Sequence, residues 1–283
     1  MDLSRAKTIL IFCFLLLNLF LAFRLWYSPR NLEDGAALTA AEAGHAREAL
    51  AAAGYELATV LPRQVPRLAL LHVTRQPLEA ALWQQRVFGT AETEKTLEAG
   101  KTIYIQGDER LEVTSDMLVF STTGSGQTGT KTDEGRRQTV ESLLRERGFW
   151  QDGLKFDRSF PAGPGTYYYR YVQTFQAIPL FAGGVDVRVQ EGAVREVKSF
   201  LVQPLEFSGR EIQVISAAEA LSTFVRTLPS LSDRRIVNIT LGYFSQDYDA
   251  RRWEIAPAWR IATADGQSFY INAFTGEKES PDW

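Results

Sequence analysis

The sequence predicts an α+β protein: an N-terminal transmembrane helix, then two similar halves, each a helix laid on an antiparallel sheet. Three observations carry this. Residues 8–23 are apolar apart from Thr8, Cys13 and Asn18. After residue 36, helical and strand-like patterns follow each other in the same order twice. A Gly/Ser/Thr-rich stretch, residues 121–132 (STTGSGQTGTKT), separates the two rounds.

The first element is the anchor. At about 1.5 Å per residue, a helix over residues 8–27 reaches roughly 30 Å, the thickness of a bilayer core. Arg24 can extend its charge to the interface, where Trp26 and Tyr27 are also at home. A cleaved signal would end in a small-x-small site. The run here ends in Arg24-Leu25-Trp26-Tyr27, and Cys13 lies mid-run after Ile11-Phe12, which excludes a lipoprotein cysteine. Arg5 and Lys7 favour a cytoplasmic tail at residues 1–7 and an extracytoplasmic body. Residues 28–36 then read as a linker.

Composition limits what the body can do. Removing Arg5, Lys7, Arg24 and Asp2 from the chain's 31 basic and 34 acidic residues leaves 28 and 33. With no basic stripe, nucleic-acid binding has no electrostatic support. Cys13 is the only cysteine, so the body has no disulfide, no thiolate metal site and no thiolate nucleophile.

The first half, 37–120, opens with a helix over 39–53, where Thr39 and Glu42 have capping-box spacing and Gly54 ends the pattern. Strand-like runs follow at 67–74, 83–89, 102–106 and 117–121. The second half, 133–283, opens with a helix over 133–147 ending at Gly148. Its strands fall at 166–177, 185–190, 193–204, 237–244, 256–262 and 268–273. A further helix covers 216–228, with Ser216 and Glu219 again in capping-box spacing.

The linker 121–132 superficially matches a phosphate loop. Gly124 and Gly129 have the right separation, but Thr130 stands where the lysine belongs and Lys131-Thr132 come one residue late. The stretch reads as a flexible polar connection.

No catalytic constellation emerges. His45 falls in the first helix and His72 inside an apolar strand; both read as ordinary surface or core histidines. There is no H-E-x-x-H and no G-x-S-x-G. Asp247-Tyr248-Asp249 lacks the glycine and terminal glutamate of a calcium loop. Asn238-Ile239-Thr240 fits a glycosylation sequon but sits in an expected strand. The expectation is a protein that is not an enzyme and holds no cofactor or metal.

Two groups of residues suggest binding. Tyr167, Tyr169 and Tyr171 share one face of a strand, either as part of a covered central strand or as an aromatic patch that docks a partner. In the anchor, Ile11, Phe14, Asn18, Ala22 and Leu25 share one helical face. Asn18 is a polar amide amid lipid-facing residues, and interhelical hydrogen bonds of such groups contribute roughly 0.5–2 kcal/mol. Either the amide is tolerated in a simple anchor, or this face packs on another membrane helix.

The opening Asp2-Leu3-Ser4-Arg5-Ala6-Lys7-Thr8-Ile9-Leu10-Ile11-Phe12, running into Leu15-Leu16-Leu17-Asn18-Leu19-Phe20-Leu21, resembles the YycH/YycI family. Further pieces are Asp186-Val187-Arg188-Val189, Gly192-Ala193-Val194, Ser216-Ala217-Ala218-Glu219-Ala220-Leu221, Pro257-Ala258-Trp259-Arg260-Ile261 and Phe269-Tyr270-Ile271-Asn272-Ala273-Phe274-Thr275-Gly276. These also look like PepSY-type modules, which are noncatalytic helix-on-sheet units. The resemblance implies a single-pass extracytoplasmic protein of a Gram-positive bacterium. Such a protein works with a YycH-like single-pass partner and a WalK-like sensor histidine kinase, whose WalK/WalR system governs cell-wall metabolism. The anchor helix would make the kinase contact. Two other readings stay open: a PepSY-like inhibitor or folding assistant of a secreted hydrolase, and a sensor that binds a wall fragment in the cleft between the halves.

Overall fold

The structure, a computed structural model, describes residues 3–27, 36–124, 132–227, 234–245 and 250–279. Helix α1 (Leu3–Tyr27) precedes the body. The body begins with β1 (Ala36–Ala37), α2 (Ala40–Ala52), β2 (Glu56–Leu57), β3 (Gln64–Val65) and β4 (Arg67–Arg75). Next come α3 (Ala80–Phe88), β5 (Glu94–Glu98), β6 (Lys101–Gln106), β7 (Glu109–Val113), β8 (Met117–Thr122) and α4 (Asp133–Glu146). Then follow β9 (Leu154–Pro161), β10 (Thr166–Phe175), β11 (Ile178–Gln190), β12 (Ala193–Phe200) and β13 (Val202–Gln213). The last elements are α5 (Ala217–Thr227), β14 (Arg235–Phe244), β15 (Arg252–Thr263) and β16 (Ser268–Asn272).

The expected helices form for the expected reasons. The Thr39 hydroxyl accepts from the Glu42 amide while the Glu42 carboxylate accepts from the Thr39 amide, satisfying two donors that a helix start leaves open. Ser216 and Glu219 repeat this ahead of α5. At α4 the Thr132 hydroxyl accepts from the Gly135 amide.

Residues 83–89, expected as a strand, instead lie largely in α3. Trp83 and Val87 are one helical turn apart and both are buried, while Gly89 at φ 66° ends the helix. The expected strand 193–204 breaks at Leu201 into β12 and β13. Strand β5 escapes the sequence pattern because it is exposed throughout, and β7 and β9 because their few buried residues, Leu111, Val113 and Leu154, stand among charged or partly buried neighbours.

The division into halves at residues 121–132 does not match the packing. One core joins residues between Leu38 and Val73, mostly of α2 and β4, to the start of β11 and to β13, α5, β14, β15 and β16. The other joins α3, β6, β7 and β8 to α4, β10, β11 and β12, ending at Leu201. The segment from α3 to Leu201 is therefore inserted into a unit made from both ends of the body. Parts of 121–132, including Ser125, Gly129 and Lys131, lie outside the described residues, as do Asp247 and Asp249.

The inserted unit's sheet runs β9-β10-β11-β12-β8-β7-β6-β5, antiparallel throughout. The enclosing unit runs β13-β4-β15-β14, with β16 beside β15 and β2 beside β14. The two join at one parallel pairing, Leu180 on β11 with Tyr243 on β14. Strand β11 serves both cores: Ile178 and Leu180 lie in the first, Val185, Val187 and Val189 in the second. Gly242 permits the seam, because a Cβ there would stand 2.6 Å from the Pro179 carbonyl oxygen and 2.6 Å from Phe181 Cε2.

Candidate functional site

Helix α1 is a first candidate site. Of residues 10–21, ten are large hydrophobics that remain 45–73% exposed; the other two are Cys13 and Asn18. Such a patch is larger than single scattered surface hydrophobics and marks a candidate interaction surface. Ile11, Phe14 and Asn18 are exposed, like every residue from 10 to 21. The Asn18 amide already donates to the Phe14 carbonyl at 2.9 Å, so part of its hydrogen-bonding need is met within α1. Ala22 and Leu25 lie in the helix, and their side chains fall outside the described residues. Among the described residues no helix is long and apolar enough to cross a membrane; the side chains described in α1 are Lys7 and residues 10–21.

The tyrosine face is not a docking patch. Tyr169 and Tyr171 are fully buried, and their shared face packs beneath α4. Strand alternation puts them opposite Val187 and Val185 on β11, which extends the apolar surface beneath the helix. The Tyr169 hydroxyl donates to Asp133 at 2.8 Å and accepts from Arg136 Nε at 2.9 Å. Burial first, and the Asp133 charge with it, pushes the Tyr169 pKa up to about 12 against the pull of Arg136. Burial also raises that of Tyr171, whose hydroxyl has no hydrogen-bond partner. Tyr167 is half-buried under the Arg136 guanidinium, 4.2 Å from its ring centre. The apolar alternation through residues 166–172 was legible; the helix covering it comes from residues 133–146, which the sequence alone does not place there.

Of the two histidines, His45 is exposed on α2 and His72 Nε2 lies 3.3 Å from Glu254. Asn238 of the sequon is half-buried in β14, where its side-chain oxygen accepts from Arg260 at 3.2 Å. No group of three or more potential metal ligands occurs among the described residues.

The structure brings together a charged cluster that the sequence reading missed. On the sheet face away from α4, Arg158, Arg170, Asp186 and Lys198 stand directly opposite one another on β9, β10, β11 and β12. Arg170 holds Asp186 by two hydrogen bonds of 2.7 Å. Arg260 on β15 approaches the same region and holds Asp157 by two bonds of 2.6 Å. Arg260 is 1% exposed, and its guanidinium lies 4.4 Å from the Phe181 ring centre. Arg158 donates to the Gly266 carbonyl at 3.1 Å and the Ser268 hydroxyl at 2.6 Å. Burial first, then the positive charges of Arg260 and Arg170, push the Arg158 pKa down to about 10, with Asp157 opposing. At Arg170 burial works to lower the pKa, but the hydrogen bonds and charge of Asp186 outweigh it and raise it. One sequence signal was available: Arg260 interrupts the apolar run Ala256–Ala262 and Arg170 interrupts a tyrosine run, and charges inside such strands need partners.

With this geometry in hand, comparison with known proteins gives one family and one fold. A family model described as YycI protein matches residues 47–274, which covers the body from α2 to just beyond β16. Among solved structures, the chain is similar to an uncharacterized protein from Eubacterium rectale ATCC 33656. The identity is 11%, the TM-score 0.51, and the match covers 81% of this chain and 90% of that one, a likeness of fold. No curated protein matches the chain.

Proposed function

This chain belongs to the YycI protein family, a family of regulators of the WalK/WalR two-component system rather than enzymes, and from that premise we propose that it is a membrane-anchored extracytoplasmic regulator. In this reading α1 crosses the membrane with its N-terminus in the cytoplasm. It packs through Ile11, Phe14, Asn18, Ala22 and Leu25 on a helix of a WalK-like sensor histidine kinase. The body extends outside the cell and assembles with a YycH-like single-pass protein.

The observation that carries the reading is the exposed apolar surface of residues 10–21, set ahead of a body that matches the family. Exposed leucines and phenylalanines on every side of a helix are stable in lipid and against other helices. For such packing to regulate, it must be stronger in one state of the kinase than in the other.

The test is capture of the full-length protein from gently solubilised membranes, beside a version with residues 1–27 replaced by an unrelated membrane helix. The kinase retained by the native chain and lost from the replacement is the expected result. A kinase retained equally by both would remove α1 from the mechanism. A secreted hydrolase in place of the kinase would replace this reading with the inhibitor one.

A further inference from the structure

A cavity of about 200 Å³ lies at the seam of the two cores. Met117, Arg170, Asp186 and Lys198 of the inserted unit line it on one side, and Arg260 and Tyr270 of the enclosing unit on another. We propose that this cavity binds a small oxyanion, a carboxylate or a phosphate, among Arg170, Lys198 and Arg260.

Charge is the first argument. Arg158, Arg170, Lys198 and Arg260 gather in this region, facing the carboxylates Asp157, Asp186 and Glu196. Glu196 is shared, at 3.3 Å from Lys198 and 3.9 Å from Arg188. The cations exceed the carboxylates.

Donor chemistry is the second argument. The cavity is lined by three cations, Arg170, Lys198 and Arg260, against one carboxylate, Asp186. Guanidinium and ammonium groups only donate, so the complementary ligand is one rich in charged acceptor oxygens, such as an ionised carboxylate or a phosphate. Arg170 and Asp186 are each 36% exposed although they stand mid-sheet, which leaves this pair accessible to a ligand.

Size is the third. At roughly 30 Å³ per liquid water, the space suits about six or seven waters, or one small anion with part of its hydration. Because the lining comes from both units, an occupant would bridge them across the seam.

The experiment is calorimetric titration of the full chain in detergent micelles at constant ionic strength, first with sodium phosphate and then with sodium acetate. Saturable binding of at least one anion is expected. Lys198→Gln should weaken it about tenfold, the loss of one charge-assisted contact, and Lys198→Arg should retain it. Lys198 is 53% exposed, so neither change threatens the fold. Phosphate alone saturating assigns the phosphate class, acetate alone the carboxylate class, and both a general oxyanion site. No saturable heat from either anion, or equal binding by Lys198→Gln, overturns the proposal.

Discussion

Arg260 and Asp157 grip each other through two hydrogen bonds of 2.6 Å, and in doing so tie β15 of one core to β9 of the other. Their side chains are only 2% and 10% exposed. A buried pair of this kind returns little net stability over an apolar replacement, yet losing one partner strands a charge and costs about 3–5 kcal/mol. Arg260→Met alone should therefore destabilise the body severely in urea denaturation. Adding Asp157→Leu to it should recover most of the loss. A double variant no better than the single would show that the pair is not the reason for the loss.

The two buried tyrosines should separate cleanly. Tyr169→Phe removes a hydroxyl bonded to a carboxylate and a guanidinium, and should cost about 1.5–3 kcal/mol. Tyr171→Phe removes a buried hydroxyl with no partner and should be neutral or stabilising. Urea midpoints of the two variants, measured side by side, check the contrast.

Gly242 should tolerate no side chain. An added methyl would press on the Pro179 carbonyl and the Phe181 ring at the one pairing that joins β11 to β14. Gly242→Ala should destabilise by about 1–3 kcal/mol, the usual cost of overpacking. A variant with unchanged thermal stability would mean that the seam opens without resistance.

Acid should weaken the inserted unit at Glu112. Burial alone would raise its pKa, but hydrogen bonds from Lys101 at 3.2 Å and Arg110 at 3.0 Å outweigh it and hold it below the ordinary 4.5. A folded-state pKa below the unfolded one stabilises above the unfolded value, and that stability is lost as pH falls through the folded one. Glu112→Gln should accordingly flatten the decline in urea midpoint below about pH 4.5. An acid profile identical to that of the native chain would count against this ion pair.

The proposed packing of α1 on a kinase helix predicts that Asn18→Leu reduces kinase retention several-fold while leaving the unfolding of the body unchanged, since interhelical amide bonds contribute roughly 0.5–2 kcal/mol. Co-purification and body stability measured on the same variant distinguish a lost contact from a damaged fold. Undiminished retention would mean that the in-helix bond to Phe14 is all this amide does.

How much of this was legible before the structure depended on range. The capping boxes at Thr39 and Ser216 act over three residues, so both helices could be placed from sequence. Strand β10 was equally plain from its alternation. The α3 segment misled because Trp83, Val87 and Phe88 are strand-favouring residues whose helical spacing shows only over a short window. The charged row and the cavity were not legible. They depend on register across four strands and on β15 arriving from far along the chain, and no local pattern encodes either.

The insertion of one unit within the other sets an order of assembly. As the chain emerges N-terminus first, β4 and α2 appear early but find their partners, β13, β14, β15 and α5, only after the entire inserted segment has passed. The inserted unit can complete itself from contiguous chain, whereas the enclosing one begins with an unpaired apolar strand, Arg67–Arg75, waiting for residues beyond 201. That interval is when β4 is most open to mispairing, and a chaperone that holds the strand until residue 201 has passed would protect the yield of this protein more than any change to its finished interior.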